Sequence, residues 1–236
     1  MIIQIYTYYV LEDALFIAEV GADHLGITVM GEEWENKVYL EDEAWRKVFE
    51  LTTIDTARDI FRAVEGRVKR VFMPLSTSID ETLSMFKEAG GDILHLIYGF
   101  TLDELREIKE RIRPKELILS VFFTSGGREE NKEEFERALK VEDVVDYLLI
   151  DTKVGAWQGV TGRTHNWDIS RELVQQYSKP VILAGGLSPE NVMEAVEKVK
   201  PDGVDACTRL DSYPGKKDHE KVRRFVEVVR KWESST

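Results

Sequence analysis

Tyr147-Leu148-Leu149-Ile150-Asp151-Thr152 and Pro180-Val181-Ile182-Leu183-Ala184-Gly185-Gly186 are two apolar runs, one ending in an aspartate and the other in a glycine pair. Between them lie a glycine-spaced loop through Gly155, Gly159, Gly162 and Arg163, the segment Thr164-His165-Asn166-Trp167-Asp168, and a short helical pattern. Leu187-Ser188-Pro189-Glu190-Asn191 follows the second run. A short continuous apolar run bounded by turn residues suits a strand buried on both faces. A helix after each strand makes the strands parallel. In such folds chemistry gathers where strands end and helices begin, which puts Asp151 and Gly185-Gly186 on one functional face.

The same alternation continues outward. Towards the N-terminus, Ile2–Tyr6 reads as a strand and Leu11–Val20 as an amphipathic helix. Leu25–Met30 is a second strand, and Asp42 to Val64 holds one or two helices. Val68–Met73 is a third strand, stopped by Pro74, and Ser78-Ile79-Asp80-Glu81 is a capping box opening a helix to Ala89. Ile93–Ile97 is a fourth strand, followed by a second capping box at Thr101-Leu102-Asp103-Glu104. Leu117–Phe123 is a fifth, followed by Gly126-Gly127 and a charged helix near Glu129–Leu139. The quoted runs are the sixth and seventh, with a helix near Ile169–Tyr177 between them. Ser188 and Pro189 form an N-cap and first-turn pair for the next helix. Val204–Cys207 is the eighth strand and His219–Trp232 the closing helix. Eight strand–helix units without a linker predict one domain over residues 1–236, a (β/α)8 TIM barrel.

The chain's 236 residues suffice for such a core. A formal net charge of −12 argues against nucleic acid or an anionic membrane as partner, so any phosphate must be held by local features against the global field. Cys207 is the one cysteine, which excludes an internal disulfide and a cysteine-built metal site and fits a reducing, cytoplasmic setting. No signal peptide or membrane-spanning stretch is present.

Several motifs carry a family resemblance. They are Leu149-Ile150-Asp151-Thr152, Gly159-Val160-Thr161-Gly162-Arg163-Thr164 with Asn166-Trp167, and Ala184-Gly185-Gly186-Leu187-Ser188-Pro189-Glu190-Asn191-Val192. Gly203-Val204-Asp205, Tyr213-Pro214-Gly215-Lys216-Lys217-Asp218, Leu11-Glu12-Asp13-Ala14-Leu15 and Gly21-Ala22-Asp23 extend it. The chain resembles the phosphoribosylanthranilate isomerases, tryptophan-pathway enzymes that open a phosphoribosyl-amine to a 1-amino-1-deoxy-ketose. The similarity is dense over residues 147–230, clear over 1–30 and thin between. It implies an aldose–ketose isomerase that needs no cofactor or metal, works in the cytoplasm as a monomer or homodimer, and takes a phosphorylated sugar derivative.

Asp151, at the mouth of a buried strand, has the setting of a general acid, or else caps its own loop by accepting backbone N–H groups. In the resembled family the matching aspartate protonates the ring oxygen. Gly185-Gly186 lets a backbone approach an anion, and Ser188 starts a helix whose N–H groups face it; the family holds its phosphate there, with Gly162 in the preceding loop. Thr208 and Arg209 replace small family residues and a glycine. The Arg209 fork either binds phosphate, or points to solvent or pairs with Asp211. On the first strand the resemblance places the base, a cysteine in the family, at Tyr6. A phenol with an ordinary pKa of about 10 is a poor base near neutrality, so a barrel plug or ligand contact competes with a catalytic part. Lys37 falls near the family's carboxylate-binding arginine, and Tyr98, with Tyr6 and Phe122 or Phe123, lines an aromatic mouth. His24 and His95 read as packing residues and Lys153 as a solvated lysine. Two further readings accompany the isomerase: a paralogue for another sugar phosphate, and a non-catalytic phosphate-binding barrel.

Overall fold

The structure, a computed structural model, describes residues 1–32, 42–97, 99–155, 157–158 and 162–235. Among them eight parallel strands form the barrel: β1 Ile2–Thr7, β2 His24–Met30, β3 Lys69–Leu75, β4 Ile93–Leu96, β5 Glu116–Phe123, β6 Tyr147–Val154, β7 Val181–Leu183 and β8 Gly203–Ala206. Each strand pairs with its neighbour in sequence. One further pairing, β8 with β1, closes the sheet and leaves no open edge. The helices are α1 Leu11–Glu19, α2 Glu43–Leu51, α3 Ile54–Ala63, α4 Ile79–Ala89, α5 Leu102–Ile112, α6 Lys132–Lys140, α7 Trp167–Gln176, α8 Val192–Val199 and α9 His219–Glu233. None is long and apolar enough to cross a membrane among the described residues.

Period-two alternation sorts the strand residues into two cores. Ile3, Ile5, Leu25, Ile27, Leu148 and Ile150 point outward, under the helices, at 2% exposure or less. Tyr6, Val71, Ile93, Ile118, Leu149 and Ile182 point inward and fill the barrel. The interior is therefore packed, and a ligand has room only at its mouth.

Local signals place most boundaries. Thr101 and Glu104 form the expected reciprocal capping box. Ser78 caps α4 through the Glu81 N–H, but the Glu81 carboxylate turns away to Ser76 and the Glu32 N–H, so only half of that box exists. The segment after Asp42 holds two helices, α2 and α3, capped by Asp42 and Thr53. Pro74 does not stop β3. The strand runs on to Leu75, with Pro74 opposite Val29, beyond the point where β4 pairing ends at Phe72 and Leu94. The missing proline N–H therefore costs no bond to β4. The expected helix start at Ser188 is also displaced. Residues 189–191 form a turn and α8 begins at Val192, yet Ser188 still caps this entry: its Oγ accepts the Glu190 N–H at 3.3 Å, and its own N–H goes to the Asn191 side chain at 2.8 Å in return.

Past β8 a 3-10 turn, Thr208–Leu210, leads into a small hairpin of Asp211–Tyr213 and Lys216–Lys217. Buried charge ties it down. Asp13, fully buried on α1, accepts from Lys216 Nζ at 3.0 Å, the Lys217 N–H at 2.9 Å and His219 at 2.8 Å, while Lys217 pairs with Asp211. The strands' opposite end carries an open cleft of about 860 Å³. Its charges pair with neighbours: Arg70 with Asp92, Lys69 with Glu116, and Arg230 with Asp23.

Candidate active site

Two small adjoining cavities lie at the C-terminal ends of the strands. The deeper one, about 70 Å³, is lined by Tyr6, Tyr8, Phe49, His95, Ser120, Phe122, Asp151, Asp205 and Cys207. The second, about 30 Å³, gathers Asp151, Gly162, Gly185, Gly186, Asp205, Cys207, Thr208 and Arg209. Asp151, Asp205 and Cys207 border both. The structure thus brings Asp151, Tyr6, Gly162, Gly185, Gly186, Thr208 and Arg209 to one mouth. Lys37 and Tyr98 lie outside the described residues, as does Gly159.

Asp151 is half-buried on β6 and accepts its own neighbour's N–H, that of Thr152, at 2.6 Å. Loss of water raises its pKa to about 6, against the opposing pull of that N–H. A carboxyl of that affinity exchanges protons readily near neutrality.

The glycine pair has positive φ, 88° at Gly185 and 62° at Gly186. A Cβ on Gly185 would overlap Thr152 Oγ1, and one on Gly186 would come within 2.6 Å of the Arg163 backbone. The support beneath is a buried chain in which Thr152 Oγ1 meets His165 Nδ1 at 2.9 Å and His165 Nε2 meets Ser170 at 2.6 Å. Burial lowers the His165 pKa to about 4, so the ring is neutral and holds the loop by hydrogen bonds. The Ser188 N–H itself is taken by Asn191. Arg209 is exposed beside Gly162, while Asp211 is engaged by Lys217. The expected alternative of an Arg209–Asp211 pair is therefore corrected: Lys217 reaches that carboxylate first.

Tyr6 is 4% exposed, and its phenol bonds His95 Nδ1, whose Nε2 meets Ser120 Oγ at 2.7 Å. Burial first, then the charges of Asp205, Cys207 and Asp151, push the phenol's pKa well above its ordinary value. Burial lowers the His95 pKa to about 3, so the ring is neutral. The Tyr6 ring also lies over Gly26, where a Cβ would approach within 2.5 Å. Phe122, not Phe123, shares this cavity; Phe123 belongs to the outer core and stacks near Phe135. His24 bonds Gln4 inside the barrel, and Lys153 is exposed.

Sequence reading missed three contributors. Asp205 and Cys207 were readable from the alternation along β8, since Gly203 and Asp205 share its inner face and Cys207, one residue past its end, continues the same spacing. Cys207 is enclosed: Tyr8 Oη lies 3.4 Å from its sulfur and Lys217 Nζ at 3.8 Å, and burial raises its pKa to about 12. The third is the roof, where Trp45 and Phe49 of α2 pack against Tyr8, with Phe49 nearly perpendicular to it at 6.2 Å between ring centroids. The helical segment from Asp42 to Val64 was its only signal.

Comparison with known proteins bears on what this mouth is for. Residues 104–228 match the family model described as N-(5'phosphoribosyl)anthranilate (PRA) isomerase. The Haloferax volcanii N-(5'-phosphoribosyl)anthranilate isomerase is 36% identical over 176 residues, covering 75% of each chain. That of Methanocella arvoryzae is 34% identical over 219 residues, covering 93% of each. The phosphoribosyl anthranilate isomerase structure from Thermotoga maritima superposes with a TM-score of 0.78 at 26% identity, covering 98% of this chain and all of the other.

Proposed function

The chain belongs to the phosphoribosylanthranilate isomerase family, and on that premise we propose that it isomerises N-(5'-phosphoribosyl)anthranilate to the corresponding 1-amino-1-deoxy-ketose phosphate in tryptophan biosynthesis. The observation that carries this reading is Asp151: a partly buried carboxyl with its pKa raised to about 6, bordering both the glycine-lined cavity and the deeper one.

The reaction needs a proton delivered to the ring oxygen to break the C1–O bond, and a proton removed from C2 to make the enolamine that becomes the ketose. Asp151 delivers the first. The substrate phosphate sits against Gly162, Gly185 and Gly186, with Thr208 as a hydroxyl donor and Arg209 as the exposed cation at the rim. This places the sugar over Asp151 and the aryl group towards Tyr8 and Phe49. Burial and the bond to His95 keep the Tyr6 phenol protonated, which supports a ligand-contact and barrel-filling part for it over that of a base. The protein works in the cytoplasm as a monomer or homodimer. Its net charge of −12 argues against a nucleic-acid or anionic-membrane partner and leaves the substrate phosphate to be held by local groups.

Turnover of freshly generated phosphoribosylanthranilate, followed by loss of its fluorescence, tests the reading. The wild type turns over and Asp151→Asn loses roughly 10²- to 10⁴-fold in kcat, the usual contribution of a positioned acid. An inert, folded wild type overturns it.

A further inference from the structure

Burying a carboxylate without hydrogen bonds to satisfy it disfavours folding, so such a group inside a packed barrel calls for an explanation in function. Asp205 is 8% exposed, and its Oδ1 has no hydrogen-bond partner among the described residues. It points inward from β8 and borders both cavities.

The register sets its relation to Asp151. Ile150 pairs with Leu183, and Leu183 with Val204. One residue further on, Asp151, Ala184 and Asp205 lie in one row across β6, β7 and β8. Neighbouring strands are about 4.8 Å apart, so the two carboxyls flank the small Ala184 across roughly 10 Å of backbone and converge on one cavity. The groups facing Asp205 are Gln4 and Tyr6 from β1, Asp151 from β6, Cys207 just past the end of β8 and Lys217 from the hairpin. Burial, then the charge of Asp151, raises the Asp205 pKa to about 8, opposed by Gln4 and Lys217. Two coupled carboxyls take up protons in separated steps and hold one between them near neutrality. The isomerisation needs that combination, one proton to give and one site to receive.

The other candidate acceptors are worse placed. The Tyr6 phenol is held by His95, His95 is bonded at both ring nitrogens, and the Cys207 thiol is held protonated by burial. We propose that Asp205 is the catalytic base of this barrel, removing the C2 proton of the substrate while Asp151 protonates the ring oxygen. The assignment rests on the isomerase reading above. Burial leaves the shared proton on Asp205 at rest, and the reactive form is the one in which it has moved to Asp151, leaving Asp205 ionised. That proton passes to the ring oxygen as the C1–O bond breaks and the nitrogen lone pair forms the iminium. The Asp205 carboxylate then takes the C2 proton, and the C–H electrons form the C1–C2 double bond and return the iminium pair to nitrogen. Asp205 gives its proton to C1 and the enol O–H proton goes to Asp151, which closes the cycle with both carboxyls restored.

The experiment measures kcat, KM and their pH dependence on phosphoribosylanthranilate for wild type, Asp205→Asn, Asp205→Glu and Cys207→Ser. Asp205→Asn is expected to lose at least 10²-fold in kcat with KM within about threefold. Its residual activity loses the acidic limb of the pH profile, because the group that must be ionised is gone. Asp205→Glu recovers at least tenfold over the amide, with a larger primary isotope effect from C2-deuterated substrate. If Asp205→Asn does not fold, the isotope effect and pH limbs of Asp205→Glu decide alone, and wild-type values in both overturn the proposal. So does an Asp205→Asn enzyme above a tenth of wild-type kcat, or loss of activity in Cys207→Ser with Asp205→Asn intact. A folded wild type that turns nothing over removes the isomerase reading and this assignment together, whereas active wild type with active Asp205→Asn removes only the assignment.

Discussion

Two kinds of residue at the mouth answer to different physics. Gly186 is needed for its backbone: φ is 62°, and any Cβ would press within 2.6 Å of Arg163. Gly186→Ala adds left-handed strain of about 1–2 kcal/mol, plus a shift of the loop. The expected result is a KM at least tenfold higher with a smaller change in kcat, checked by steady-state kinetics. Asp205 is present despite its cost. Its folded-state pKa of about 8 lies above the ordinary 3.8, so the folded state holds its proton more tightly than the unfolded chain. The stabilising contribution of the neutral form is complete below about pH 4 and is lost as pH rises through 8. Asp151 acts in the same direction between about pH 4 and 6. Asp205→Asn, which cannot ionise, is therefore expected to match wild type near pH 4 and exceed it by on the order of a few kcal/mol at pH 9. Urea melts at both pH values check this, and an amide variant that loses stability relative to wild type on going alkaline contradicts it. Residue identities were readable before the fold; the orphaned oxygen and the Gly26–Tyr6 contact were not, because each depends on a neighbour from another strand.

At the scale of elements, the hairpin after β8 and helix α2 form the rim. The hairpin's tip reaches α2, since a Cβ on Gly215 would meet Val48 at 2.6 Å. Its anchor is the Lys217–Asp211 pair, both side chains 5% exposed or less, backed by fully buried Asp13. Breaking one side of a buried pair costs more than replacing both. Lys217→Met is expected to lose about 3–5 kcal/mol, and Lys217→Met with Asp211→Leu to recover most of it. Chemical denaturation of the single and double variants is the check; equal losses in both would place the stability elsewhere. Capping residues made Asp42, Thr53, Ser78 and Thr101 legible as helix starts, because a cap is a local bond. Ser188 was legible in the same way, since its Oγ accepts the Glu190 N–H and Asn191 takes its own N–H in return; only the extra turn before Val192 was not.

For the whole molecule, a net charge of −12 opposes an anionic substrate at long range, while Arg209 attracts it only nearby. Raising salt from about 10 mM to 150 mM shortens the Debye length from roughly 30 to 8 Å and removes the distant repulsion first. The expected outcome is a kcat/KM that rises about two- to threefold over that range and falls at higher salt as Arg209 is screened; a steady fall from the lowest salt would show that the local cation dominates throughout. By itself the sequence determined the count and order of the strand–helix units, hence the closed barrel, the functional end, and Asp151 beside the glycine pair. Hydrophobic runs, caps and glycine spacing are properties of neighbouring residues in the chain, so they are visible there. Only the tertiary structure decided which inward side chains share a level: Tyr6 over Gly26 and against His95, Asp205 in the row with Asp151. Those relations come from the stagger of strands around a closed sheet, where a shift of one residue would turn every such side chain to the other face.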